Sequence, residues 1–158
     1  MRISKIIASG LGTGYAPFAP GTAGSLLGIA IIYALNSWVN ELGMQQPTIL
    51  ILNLGAIVSV LFIGVYAIKV VRRFWEHDDP KIVIDEITGV WIAALALPMH
   101  WTYYFFAFVL FRFFDILKPL GIKMLDKQKN DWSVMLDDVL AGIYALIILQ
   151  IAIYFHIL

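Results

Sequence analysis

The sequence predicts an all-α fold: one multi-pass transmembrane helical bundle, with four to five membrane helices, filling residues 1–158 as a single domain. Three observations carry this. The chain is 61% hydrophobic, with a mean hydropathy of +0.84. Only 14% of it is charged, where a soluble domain carries about 25%. That leaves too little polar surface to cover a globule in water, and a lipid-facing exterior accounts for the deficit. Third, the apolar residues gather into five segments, near 23–40, 48–69, 80–97, 101–117 and 134–157. A helix of about 18 residues reaches about 27 Å, close to the hydrocarbon thickness of a bilayer. No composition shift divides the chain.

The first segment carries Gly24 and Gly28 at four-residue spacing, which lets another helix approach closely. The second, Thr48 to Lys69, has no internal charge and is the clearest span. The third has a readable start: Asp79 suits an N-cap and Pro80 the first helical position, which places Asp85 and Glu86 about two turns inside. The third and fourth segments are short and read as a hairpin broken at Pro98, where the missing N–H disfavours continuation. The fifth begins near Ser133 and holds Asp137 and Asp138 about one turn inside. The basic start, Met1-Arg2-Ile3-Ser4-Lys5, is not followed by a short apolar stretch with a small-residue cleavage site, so no cleaved signal peptide is expected.

Alternating five spans puts residues 1–22, 70–79 and 118–133 on one side. With the adjoining helix ends, that side holds all eleven Lys and Arg residues, including Lys127 and Lys129. The positive-inside rule makes it cytoplasmic. Ten of the eleven acidic residues fall there too, all but Glu41. Asp85, Glu86, Asp137 and Asp138 sit within helices, and Asp115 near the end of another. A carboxylate in the bilayer centre costs about 2.5–3.5 kcal/mol on insertion scales. Several at similar depth repel unless neutralised, and oxygen ligands favour Mg²⁺, which also accepts phosphate oxygens. The alternative is structural ion pairing with Lys81, Arg112 and Lys118.

Two further features bear on anion binding. Gly10 to Ser25 holds five glycines and two prolines before the first long helix. Its backbone N–H groups suit a phosphate cradle, or the segment is a turn packing the N-terminus over the bundle. It matches neither the P-loop nor the dinucleotide fingerprint. In Arg112-Phe113-Phe114-Asp115-Ile116-Leu117-Lys118-Pro119, Arg112 and Asp115 share a helix face. Arg112 offers a bidentate fork and Lys118 a point charge for phosphate; as plain interface anchors they would form an intrahelical pair instead. His100 and His156 are expected at the far interface, and His77 in a solvated loop. Trp91, Trp101, Tyr103 and Tyr104 read as a membrane belt. Without cysteine there is no disulfide, thiolate metal site or cysteine nucleophile, and no Ser–His–Asp signature is present.

At these residues the chain resembles the phosphatidylglycerophosphatase A family over nearly its whole length. Four blocks in order carry the likeness: Gly12 to Ser25, with Ala19-Pro20-Gly21-Thr22 and Gly24-Ser25 at its centre; Asp79, Ile84-Asp85-Glu86 and Gly89; Phe111-Arg112, Phe114-Asp115 and Lys118-Pro119; and Met135 to Gly142. The resemblance implies a bacterial inner-membrane enzyme that hydrolyses phosphatidylglycerophosphate to phosphatidylglycerol and inorganic phosphate with Mg²⁺. It assigns the acidic-site role to Asp79, Asp85, Glu86, Asp115, Asp137 and Asp138. Lys118 and the hydroxyls of Thr22 and Ser25 match polar positions of the family motifs. Two positions depart from the pattern. Asn130-Asp131-Trp132-Ser133 stands where glycines are usual, and Gly121 where a second proline is frequent.

The expected chemistry is metal-assisted phosphomonoester hydrolysis on the cytoplasmic face. Asp85, Glu86, Asp137 and Asp138 hold Mg²⁺, and one carboxylate activates the water. Thr22, Ser25, Arg112, Lys118 and the glycine-rich segment hold the phosphoryl oxygens, while the lipid tails stay in the bilayer. The partner is a phospholipid; nothing points to nucleic acid. The rival from another class is a cation carrier or channel subunit using the same acids, which requires polar residues continuing to the far face; the far halves of the helices are apolar apart from residues such as Gln150. A phosphatidyl-group transferase is a second rival, and its Asp-Gly…Ala-Arg…Gly…Asp…Asp pattern is absent.

Overall fold

The structure is a computed structural model that describes residues 1–76, 79–119, 121–126, 128 and 130–158; the side chain of Asp126 is outside the description, as are His77, Lys127 and Lys129. It is all-α: among the described residues there is no strand. A short α1 (Arg2–Ala8) and an irregular 3₁₀ turn (Gly10–Tyr15) precede two long antiparallel helices, α2 (Pro20–Glu41) and α3 (Gln46–Val71). Then come α4 (Ile84–Ala93), α5 (Trp101–Leu117), the short α6 (Ile122–Asp126) and the long α7 (Asp131–Tyr154).

Three helices, α2, α3 and α7, are long and apolar enough to cross a membrane. At 1.5 Å per residue they reach about 33, 39 and 36 Å. Helix α5, with 17 residues, reaches about 26 Å. Helix α4 has only 10 residues, about 15 Å, half of a bilayer's hydrocarbon core. Its environment explains why so short a helix is stable. Every residue of α4 except Glu86 is buried, and α2, α3, α5 and α7 all pack against it. It is the protein-wrapped axis of the bundle, while α3 turns Ile51, Leu54, Val58 and Phe62 outward.

The third apolar segment therefore differs from its sequence reading, and the difference moves the acids. Asp79 does not cap a helix and Pro80 does not begin one. The Asp79 carboxylate accepts the Lys81 N–H at 3.0 Å, and its carbonyl accepts the Ile82 N–H at 2.8 Å, closing a turn around Pro80. The Val83 N–H then reaches the Ala8 carbonyl at 2.9 Å. The helix opens only at Ile84, so Asp85 and Glu86 lie in its first turn rather than two turns inside. At its other end α4 stops short of Pro98, and the Gln150 amide donates to the Leu95 and Ala96 carbonyls. Helix α7 begins two residues before Ser133: Asn130 and Ser133 form a capping box, which is the local role of the residues standing where the family favours glycine. Asp137 and Asp138 consequently sit nearly two turns inside.

Glycines set the closest approaches. The Gly24 and Gly28 spacing does admit another helix, and that helix is α4: a Cβ at Gly28 would lie 2.7 Å from Val90 Cγ1 and 3.2 Å from Ile87 Cα. The Trp91 indole N–H donates to the Gly28 carbonyl at 2.8 Å across the same contact. Trp91 is thus a core residue, 7% exposed, and Tyr104 is buried with its hydroxyl accepting from Asn36. Neither belongs to a membrane belt, whereas Trp101, 61% exposed, faces outward. His100 caps α5, its Nδ1 accepting the Thr102 N–H.

The tightest crossing joins α4 to α7. A Cβ on Gly142 would sit 2.3 Å from the Gly89 carbonyl oxygen, and one on Gly89 would sit 2.7 Å from the Asp138 carbonyl oxygen and 2.4 Å from Phe111. Gly142→Ala is expected to cost the roughly 1–3 kcal/mol of stability typical of overpacking and so to lower the thermal unfolding midpoint in detergent. Gly55→Ala on α3, where an added methyl meets nothing within 4 Å, is expected to leave or raise it. An unchanged midpoint in Gly142→Ala would contradict the crossing.

Candidate carboxylate and phosphate site

The site is a consequence of that crossing. Asp85 precedes Gly89 by four residues, and Asp138 precedes Gly142 by four, so each acid shares a helix face with the glycine one turn below it. Where the two backbones touch, the acids above them are brought together. One oxygen from each of Asp85, Glu86 and Asp138 lies within 4.8 Å of the others. Asp85 and Asp138 are buried and Glu86 half-buried. The first-turn position of Asp85 and Glu86 aims two of the acids at the positive end of the α4 dipole, and Asp85 Oδ1 accepts the Glu86 N–H at 3.1 Å.

That help is small beside the repulsion. At an effective dielectric near 20, two full charges at such a separation repel by about 3 kcal/mol, and the set contains three such pairs. Glu86 Oε2 is moreover buried with no hydrogen-bond partner among the described residues. Three convergent oxygen donors, with no sulfur or imidazole in the set, fit a hard divalent cation such as Mg²⁺. Asp137, read from the sequence as a fourth ligand, is not one of the converging trio; its Oδ2 accepts from Lys118 Nζ at 2.8 Å.

Two cations and a helix end border the acids. Arg112 donates to Asp115 Oδ2 at 2.6 Å through Nη1, confirming the shared face, while its buried Nε has no partner among the described residues. Lys118 terminates α5 in a left-handed conformation, φ 44°, a placement that costs a non-glycine residue about 1 kcal/mol or more. Gly21, in the first turn of α2, meets both signs of charge. A Cβ there would lie 2.2 Å from Glu86 Oε1 and 3.2 Å from Arg112 Nη1. The first turn of α2 therefore abuts both the carboxylates and the guanidinium, offering its N–H groups as α4 does.

The remaining sequence candidates divide. The glycine-rich segment divides in two. Its first part is a packing turn: a Cβ at Gly14 would lie 2.1 Å from the Lys81 carbonyl oxygen. Its second part, from Ala19, which holds φ 45° as the N-cap of α2, brings Gly21 against Glu86 and Arg112, with Thr22 half-buried next in the helix. Ser25 is fully buried, and its hydroxyl donates to the Gly21 carbonyl at 2.7 Å. Asp79 is paired with Lys81 Nζ at 3.1 Å and is not one of the converging acids. The sequence reading included Gly21 only within the glycine-rich segment and assigned no part in the site to Gly89 or Gly142. The available signal was the shared interval Asp85–Gly89 and Asp138–Gly142.

With this geometry in view, comparisons with known proteins agree on one relationship. The family profile described as phosphatidylglycerophosphatase A matches residues 6–153. A Bacteroides thetaiotaomicron protein named putative phosphatidylinositol-3-phosphatase is 40% identical over 93% of this chain and 91% of its own length. Proteins named phosphatidylglycerophosphatase A are similar as well. That of Haemophilus influenzae is 39% identical over 90% of this chain and 84% of its own, and that of Escherichia coli 34% identical over 87% and 76%. No solved structure matches the chain. The chain belongs to the phosphatidylglycerophosphatase A family.

The geometry predicts that Mn²⁺, used as a paramagnetic substitute, is bound by the purified protein. Loss of the free-ion electron paramagnetic resonance signal measures it. Asp85→Asn and Asp138→Asn are expected to weaken binding at least tenfold, and Asp79→Asn to leave it unchanged. Equal effects of all three substitutions would show that the convergent trio is not the cation site.

Proposed function

We propose that this member of the phosphatidylglycerophosphatase A family is a Mg²⁺-dependent lipid phosphatase. In this reading it hydrolyses phosphatidylglycerophosphate to phosphatidylglycerol and inorganic phosphate at the cytoplasmic face of the bacterial inner membrane. The observation that carries the reading is the meeting of Asp85, Glu86 and Asp138 beside Arg112 and the first turn of α2, which puts acids for a cation next to donors for an anion. The positive-inside distribution supports the cytoplasmic assignment, since all basic residues accompany that end of the helices.

Asp85, Glu86 and Asp138 would hold the ion, which when bound would supply Lewis-acid polarisation of the phosphoryl oxygens. Arg112, fixed by Asp115, presents its free guanidinium edge to the phosphate, and Lys118, held by Asp137, adds a second positive charge. The N–H groups of Gly21 and Thr22 at the start of α2 complete the anion cradle. Water attacks phosphorus, the bond from phosphorus to the glycerol oxygen breaks, and the leaving oxygen takes up a proton. Glu86 Oε2 is our assignment for the base that accepts the water proton. We give Ser25 and Asp79 supporting parts: Ser25 ties the first turn of α2 together, and Asp79 closes the turn that fixes where α4 begins.

Two names among the relatives differ in the lipid headgroup and share a phosphatase acting on a phosphatidyl lipid. The Bacteroides relative favours a second reading, in which the phosphate sits on an inositol ring. A transport role has less support. Beyond the acids α4 carries the buried apolar side chains Ile87, Val90, Trp91 and Ile92 and one polar one, Thr88, whose hydroxyl donates to the Ile84 carbonyl, and the polar residues at the opposite end, such as Asn36 and Gln150, are tied by neutral hydrogen bonds.

Purified protein in mixed micelles is expected to release inorganic phosphate from phosphatidylglycerophosphate faster than from phosphatidylinositol 3-phosphate. A reversed preference would select the second reading. Asp85→Asn and Asp138→Asn are each expected to lower kcat by about 100-fold or more, and chelation to abolish activity until Mg²⁺ is restored. Full activity in either variant, or in chelator, would remove this mechanism.

A further inference from the structure

A groove of about 230 Å³ runs between α2 and α5, lined by Leu26, Ala30 and Tyr33 on one wall and Trp101, Phe105 and Phe108 on the other. It is apolar and aromatic throughout, and Leu26, Trp101 and Phe105 leave it open sideways, each at least half exposed. Tyr33 and Tyr104 close its far end with rings 4.9 Å apart. Its near end is its informative feature. Leu26 lies five residues along α2 from Gly21, and Phe108 four residues along α5 from Arg112, so the groove begins about 6–7.5 Å along the helices from the place where they meet the carboxylates. From Leu26 to Tyr33 it continues for about 10 Å, some two-thirds of one leaflet's hydrocarbon depth.

We propose that this groove seats an acyl chain of the phospholipid substrate while its phosphate is hydrolysed, so that the two helices which present the phosphate also align the tail. The inference rests on the lipid-phosphatase reading above and goes beyond it by naming the part of the substrate that α2 and α5 recognise. The same pair of helices serves both ends: Phe108 lies one helical turn from Arg112 on the same face of α5, and the exposed mouth of the groove faces the bilayer from which a lipid must enter. Helix α4 itself is closed against α2 at Gly24 and Gly28 and against α7 at Gly89 and Gly142. A tail leaving bulk lipid for the groove exchanges one apolar surround for another and gains little affinity. What it gains is orientation, so the groove raises the rate by positioning.

The test compares two substrates carrying the same headgroup: dioleoyl phosphatidylglycerophosphate, and its deacylated, water-soluble headgroup. In Ala30→Trp, which fills the groove, kcat/KM for the diacyl substrate is expected to fall at least fivefold relative to the deacylated one. Val58→Trp on the lipid face of α3 is expected to preserve the wild-type ratio. A ratio in Ala30→Trp equal to that of the wild type, whether both rates fall or neither does, overturns the proposal. As a check that needs no variant, a phosphatidylglycerophosphate bearing a diazirine on its acyl chain is expected to label α2 or α5 between residues 26–33 or 101–108 of the wild-type protein. Labelling of α3 or α7 in preference to these also overturns it. A wild type that cleaves neither substrate sinks the phosphatase reading itself, an outcome distinct from a wild type that cleaves both while the substitution leaves their ratio intact.

Discussion

The backbone contact between Gly89 on α4 and Gly142 on α7 is the constraint on which the rest of the molecule depends. No side chain fits between those helices: any Cβ at position 142 would overlap the carbonyl oxygen of Gly89. Because each glycine lies one helical turn below an acid, the contact fixes how far apart Asp85 and Asp138 can be. A methyl's width of added separation would move both carboxylates outward and change what the space between them can hold. Packing and chemistry are one arrangement here, with the lower turn setting the spacing of the upper.

That arrangement also accounts for a short helix at the centre of a membrane bundle. A ten-residue helix cannot satisfy a bilayer's thickness, but α4 has no need to, since its surround is protein on every side. Its late start, imposed by the Asp79 turn and the Val83 to Ala8 hydrogen bond, places Asp85 and Glu86 in its first turn near the polar end, where Asp85 Oδ1 accepts the Glu86 N–H. The N-terminus of α2 arrives at the same place through the left-handed Ala19, and α5 contributes Arg112. Two helix N-termini, a guanidinium and three carboxylates thus converge at one depth, where a cation and a phosphate would satisfy each other's partners.

Much of this was legible in the sequence, and the failures have a common origin. The charge-free run from Thr48 to Lys69 announced α3 to within two residues at each end, and the fourth segment coincides with α5 over Trp101–Leu117. The third segment misled because a fully protein-buried helix and a lipid-exposed span are both continuous apolar runs, which periodicity does not separate. The same ambiguity placed Trp91 and Tyr104 in a belt when they belong to the core. Among the described residues three helices are long and apolar enough to cross a membrane, and α5, with 17 residues, is a little shorter. The acids of the site were identifiable as residues, but their grouping was not. Asp137 and Asp138 are neighbours in the chain, yet successive helical positions point about 100° apart, so one joins Asp85 and Glu86 and the other joins Lys118. Only the glycine intervals encoded which of the two would do so.

The central claim, that the α4–α7 crossing assembles Asp85, Glu86 and Asp138 around a shared ion, is tested most directly by crystallography of Mn²⁺-soaked protein with anomalous data collected at the manganese edge. The account predicts a single strong peak within coordinating distance of all three carboxylates, on the side facing Arg112 and Gly21. Side chains that diverge from one another, or manganese located only on the surface acids, would contradict it.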